Sequence, residues 1–254
     1  MLEDSTSRAD SKRMHLISMP TPFVRWLKTL MAVLLPLVLI IGPVRLLVTN
    51  EYLAFEYGKA DFPRDPFGFD QAQRLAVASA NFRYVRDAQP LDALAGQRLG
   101  DAPLYNDREL KHMQDVQNVY QAVWLVWRIA AGIVLLAALA LAWRAETRPA
   151  LAATIKWGGL LTASLVAVVG LLAVIAWRFW FVAFHQIFFA PGTWMFDYSD
   201  TLIRLFPEKF WFDAALTLSG LSLFGGLLLA LVGWRWQPQP YVTPVSDRSI
   251  ISQP

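Results

Sequence analysis

Four apolar runs constrain this chain more than any other feature. The first, TLMAVLLPLVLIIGPVRLLV at 29–48, carries one charge in twenty positions. WLVWRIAAGIVLLAALALAW follows at 124–143, then a stretch from Trp157 to Phe184, then one from about Asp213 to Trp234. At about 1.5 Å per residue, each crosses a hydrocarbon core of about 30 Å. The expected fold is an α-helical integral membrane protein with four transmembrane helices, at about 29–48, 120–143, 157–184 and 213–234. The first run is too long for a signal-peptide core and lacks a small-x-small cleavage site, so it reads as a retained helix. Among 254 residues, 56% are hydrophobic, which is too apolar for an ordinary soluble domain.

Basic residues orient the spans. Arg8, Lys12, Arg13, Arg25 and Lys28 precede the first; Arg144, Arg148 and Lys156 lie between the second and third; Arg235 and Arg248 follow the fourth. These three pieces share one side, expected to be the cytoplasm. Trp143, Trp157, Trp234 and Trp236 mark that boundary. Residues 1–24 and 237–254 read as cytoplasmic tails, the second Pro- and Ser-rich and expected to be disordered. His15 falls in the first and gets no role.

The opposite side holds a segment at 49–116 and a loop at 185–212. The segment is too long for a simple loop and too small for a domain with a large core of its own. It should be mostly helical. Asp70 is an expected N-cap, with Leu75, Ala78 and Phe82 on one face. Asn106 and Glu109 have capping-box spacing, and no breaker follows until Trp143, so one helix should run from about 107 to 143.

Rise per residue compares depths. Measured from the tryptophan boundary, His112 lies about 46 Å up, His185 about 40 Å and Glu208 about 39 Å. All three fall near the outer headgroups, and the two histidines are expected to meet. Asp115, three residues after His112, could hold its tautomer; the plainer reading is a solvated residue at a helix entrance. Arg45, Arg128 and Arg178 lie inside apolar runs. They read either as a basic floor for a phosphate or oxyanion, or as snorkelling and structural pairs, with Asp213 as a partner for Arg178. Arg128, being deeper, is expected to have a buried role. Phe184, Phe188, Phe189, Trp194 and Phe196 read as anchoring and packing residues, or as one wall of an acyl-chain groove.

Two stretches carry a resemblance. LYNDRELKHMQDV before the second span and FHQIFFAPGTWMFDYSDTLIRLFPEKFWFDAAL between the third and fourth resemble the lipoprotein intramolecular transacylase (Lit) family. DFPRDPFGFDQAQRL resembles a segment of its longer, uncharacterised relatives. The resemblance covers roughly residues 25–236. It implies an enzyme at the outer face of the bacterial cytoplasmic membrane. That enzyme moves the sn-2 acyl chain of a diacylglyceryl lipoprotein onto the α-amino group of its N-terminal Cys. The family's functional histidines correspond to His112 and His185. One departure is that the outer segment is longer than expected for characterised members.

The implied chemistry suits the residue types. Ester-to-amide transfer is downhill, and the substrate supplies the nucleophile. The protein must supply proton transfer and orientation. His112 is assigned as base, oriented by Asp115, with His185 as acid or oxyanion partner; the roles are interchangeable. Arg128, Arg178 and Glu208 are candidate charge-stabilising or substrate-binding residues. Expected partners are membrane lipid and a lipoprotein N-terminus, with no nucleic acid, cofactor or metal. No cysteine, phosphate loop, HExxH or GxSxG motif is present. Two other classes stay open, a bis-His haem or metal protein and a non-catalytic membrane scaffold; a lipid ester hydrolase is a close variant of the transacylase reading.

Overall fold

The computed structural model of the protein describes residues 20–237. The expectations for residues 1–19, including His15, and for 238–254 fall outside these residues. Four helical stretches are long and apolar enough to cross a membrane: Thr21–Leu47, Asp107–Trp143, Ala145–Ile175 and Glu208–Arg235.

Helix α1 (Thr21–Ile41) begins earlier than the sequence suggested. It breaks at Gly42–Pro43 before a short α2 (Val44–Leu47). The break has a local cause. Pro43 has no N–H to donate, and the Trp127 indole donates to the Val38 carbonyl at 3.0 Å. A Cβ on Gly42 would lie 3.1 Å from that indole nitrogen, so the residue must be small. Met31 of α1 packs with Ala137, Leu141 and Leu151, joining the first three spans.

Next come α3 (Asn50–Tyr57), α4 (Gln71–Arg86) and α5 (Asp92–Ala95). An antiparallel pair of two-residue strands, β1 (Arg98–Leu99) and β2 (Ala102–Pro103), follows. Asp70 caps α4 in a full capping box with Gln73. Ala78 of its inner face is fully buried, and Leu75 and Phe82 pack on the same core. This segment does not build a core alone. Leu53, Tyr84 and Leu94 share one with Leu205, Phe206 and Phe210 from the other outer connection. The small size of the segment is therefore no obstacle, because a second loop completes its interior.

Helix α6 (Asp107–Trp143) runs unbroken for 37 residues behind its Asn106–Glu109 capping box. Helix α7 (Arg148–Ile175) packs along α10 (Glu208–Arg235) through small residues. A Cβ on Gly159 would lie 2.5 Å from the Gly226 carbonyl and 2.6 Å from the Ala230 nitrogen. Gly233 faces the Lys156 backbone equally closely. Such seams let two backbones approach where lipid offers no hydrophobic drive for association.

One expectation fails in this bundle. The third apolar run is not one helix to Phe184. It ends at Ile175, Ala176 leaves helical geometry, and α8 (Trp177–Phe188) starts anew. The bend seats Trp177 edge-on against Phe212 of α10 at 5.2 Å. Heights counted along a continuous third helix therefore do not apply to His185. A last short helix, α9 (Thr201–Leu205), precedes α10.

Candidate active site

Helix α6 presents His112 from its second turn, and α8 presents His185 from its last. Their rings lie 6.3 Å apart and 21° from parallel. The expectation that the two histidines meet is correct, although α8 rather than a continuous span delivers the second. Aromatic rings close the site. Phe189 lies 4.8 Å from His112 and 5.6 Å from His185. Phe196 stands edge-on to His112 at 5.3 Å, and Trp194 lies 4.7 Å from His185. The phenylalanines read as anchoring residues are thus partly walls of this site.

Hydrogen bonding distinguishes the imidazoles. His185 Nδ1 lies 2.7 Å from the Phe181 carbonyl oxygen. A carbonyl only accepts, so Nδ1 carries the proton and Nε2 keeps the lone pair. Burial pushes the His185 pKa below its ordinary value, partly opposed by that carbonyl. His112 is buried, and its Nδ1 has no hydrogen-bond partner among the described residues.

Other expected members are elsewhere. Asp115 does not hold His112; Lys111 takes its carboxylate at 2.9 Å. Arg128 is exposed on α6 instead of buried, and Arg178 is exposed on α8. Asp213 pairs with Lys59 at 3.0 Å and Lys209 at 2.9 Å, so the expected Arg178 pair does not form. Glu208 is exposed at the first position of α10. Among the described residues, none of the four proposed auxiliary residues hydrogen-bonds or stacks with either ring, and Arg128 and Arg178 do not assemble into a basic floor beneath them.

Three residues outside the expected set hold the site. Glu109 is 1% exposed. Its Oε2 accepts from the Asn106 N–H at 2.9 Å, and its Oε1 accepts from the Leu202 N–H at 2.7 Å. One carboxylate thus ties the start of α6 to the loop that carries Phe196. Arg108 donates to Asp200 at 3.0 Å and lies 5.7 Å from the Phe196 ring. Asp200 also accepts from Asn106 Nδ2 at 3.0 Å and from the Asp197 N–H at 2.9 Å. The capping box was visible in the sequence; the second donor to Glu109 was not, because Leu202 lies 93 positions away.

The model of the lipoprotein intramolecular transacylase Lit family matches residues 29–211, including both histidines. The chain belongs to this family. An uncharacterised protein of Aquifex aeolicus (strain VF5) is 28% identical over 200 residues, covering 74% of this chain and 84% of that one. The membrane-integral transacylase Lit of Bacillus cereus superposes with a TM-score of 0.72 at 18% identity, covering 85% of this chain and 97% of its own. A variant of it with histidine replaced by arginine superposes at 0.65, with 17% identity over 91% of this chain and 96% of that one. The fold that carries the two histidines is that of the Lit family.

Proposed function

We propose that this protein is a lipoprotein intramolecular transacylase acting through His112 and His185 at the outer leaflet. Its substrate is a diacylglyceryl lipoprotein with a free N-terminal amino group. The observation that carries the reading is the stacked histidine pair, 6.3 Å apart within an aromatic wall. The α-amino nitrogen attacks the sn-2 ester carbonyl. A C–N bond forms, the C–O bond breaks, and the released glyceryl oxygen takes a proton.

The hydrogen bonding favours His185 over His112 as the base. Its Nδ1–H is fixed on Phe181, leaving Nε2 to take the amine proton. His112 is the partner at the ester. Its buried, unpaired Nδ1 is free to bond a reacting group, which a buried polar atom requires. Family membership and the excess of Lys and Arg on the tryptophan side support an outward-facing site. Family membership does not favour the haem reading, and Phe189 packs against both imidazoles.

The test is expression in a bacterial host whose lipoproteins are otherwise diacylated. Substrate and product are isomers, so tandem mass spectrometry must separate N-acyl from O-acyl chains. The intact protein should yield lyso-form lipoprotein. His112→Ala and His185→Ala should each lower its formation by about 100-fold or more, the range of general acid–base catalysis. Unchanged lyso-form with both variants would sink the proposal. Loss of one acyl mass with release of fatty acid would instead identify a hydrolase.

A further inference from the structure

A cavity lies away from the histidines. It encloses about 460 Å³ between the end of α3 and the start of α4. Tyr57, Lys59, Phe62, Arg64, Asp65 and Arg74 are among the residues that line it. None of its lining residues contacts either histidine ring.

Its charges do not cancel. Asp65 accepts from both Arg204 Nε and Nη2 at 3.0 Å, and from the Phe67 and Phe69 N–H groups. Asp70 caps α4. Lys59 is held by Glu56 at 2.7 Å and Asp213 at 3.0 Å. Two cations remain. Arg64 is exposed and without an ion pair among the described residues. Arg74 is only 6% exposed. It donates Nε to the Arg204 carbonyl at 2.7 Å and Nη1 to the Pro63 carbonyl at 2.6 Å. Both partners are neutral, so the guanidinium has no carboxylate of its own. Its Nη2 has no hydrogen-bond partner among the described residues. Tyr57 and Phe62 flank it, each 5.0 Å from the guanidinium carbon. A buried guanidinium that is fixed, stacked and unpaired is a binding group for an oxyanion.

Depth identifies the anion's source. Lys59 lines the cavity and bonds Asp213 of α10. Asp213 lies twenty-one residues before Trp234, about 32 Å along the helix, which is the edge of a core of about 30 Å. The cavity therefore opens at headgroup level, beside the exposed rings of Phe55 and Phe67.

We propose that Arg74 and Arg64 bind a phosphate group there, supplied by a membrane phospholipid headgroup. This proposal is independent of the histidine chemistry.

The full chain, purified in a neutral detergent, should be titrated by calorimetry with three probes. These are dihexanoyl phosphatidylglycerol, inorganic phosphate and dihexanoylglycerol. Saturable binding of the first and none of the third is expected. Arg64→Gln, at an exposed position that leaves the fold intact, should weaken it about tenfold, the worth of one charge-assisted bond. Arg74→Lys should weaken it further, since an ammonium cannot reproduce the planar fork. Equal affinity for inorganic phosphate would overturn the lipid source while retaining the anion site. Binding unchanged by Arg64→Gln, or no saturable binding of either phosphate probe, would overturn the site itself.

Discussion

Replacing Glu109 with glutamine changes one oxygen to an amide nitrogen and almost nothing else in shape. The carboxylate accepts from two backbone N–H groups, of Asn106 and Leu202. Glutamine has a single acceptor oxygen, so one N–H loses its partner and meets an NH₂ donor instead. A charge-assisted hydrogen bond contributes about 1.5–3 kcal/mol, and an orphaned buried donor costs about 1–3 kcal/mol. Because Asn106 is the nearer, local partner, the long-range bond to Leu202 should be the one lost. A local loss of about 2–3 kcal/mol raises the opening constant of that amide about 30- to 150-fold. Hydrogen exchange of residues 197–205, read by mass spectrometry on the detergent-solubilised protein, should accelerate by that factor, with exchange along α10 unchanged. Acyl transfer should fall with it, since the loop seats Phe196 on His112. Unaltered exchange at Leu202 in a folded Glu109→Gln protein would refute the idea that this carboxylate holds the loop.

Other outcomes follow from the same geometry. Arg108→Gln removes partly exposed ion pairs to Asp200 and Asp197, so thermal unfolding should shift by less than about 1 kcal/mol. Gly159→Leu forces a side chain into the Gly226–Ala230 backbone, and the unfolding midpoint in detergent should drop by the equivalent of about 3 kcal/mol or more. Because burial lowers the pKa of the base His185, transfer should show two acid limbs. The first belongs to the substrate amine, near about pH 7.7; the second to the histidine, below about pH 6.5. Activity needs the neutral imidazole, so the rate is lost as pH falls through the second limb. A pH profile of residual transfer in His185→Ala should lack that limb.

What was legible in the sequence had local causes. The caps at Asp70 and Asn106 are decided within four residues, and both capping boxes form. The meeting of His112 and His185 was expected from depth along one continuous third helix. The rings do meet, but the separate helix α8 delivers His185, so the count reached the right pair by a path the fold does not take. Partners across the fold were not legible. Lys111, four residues before Asp115, was in fact the readable signal for where that carboxylate goes. Apolar periodicity could not say that Arg128 turns outward, because in a lipid-facing helix most faces are apolar. The break at Ala176 has neither proline nor glycine beside it, so no local signal marks the division between α7 and α8.

The Asn106–Glu109 cap also sets a phase. His112 stands six positions after the cap residue, and each position turns the helix by about 100°. Inserting one residue between Glu109 and His112 would leave every contact of the cap intact. It would still swing the imidazole by that angle, away from His185. Insertions before Asn106 would turn nothing, because the cap restarts the count. An insertion in an exposed turn upstream of Asn106 therefore leaves this phase unchanged, whereas the interval from Asn106 to His112 acts as a fixed ruler.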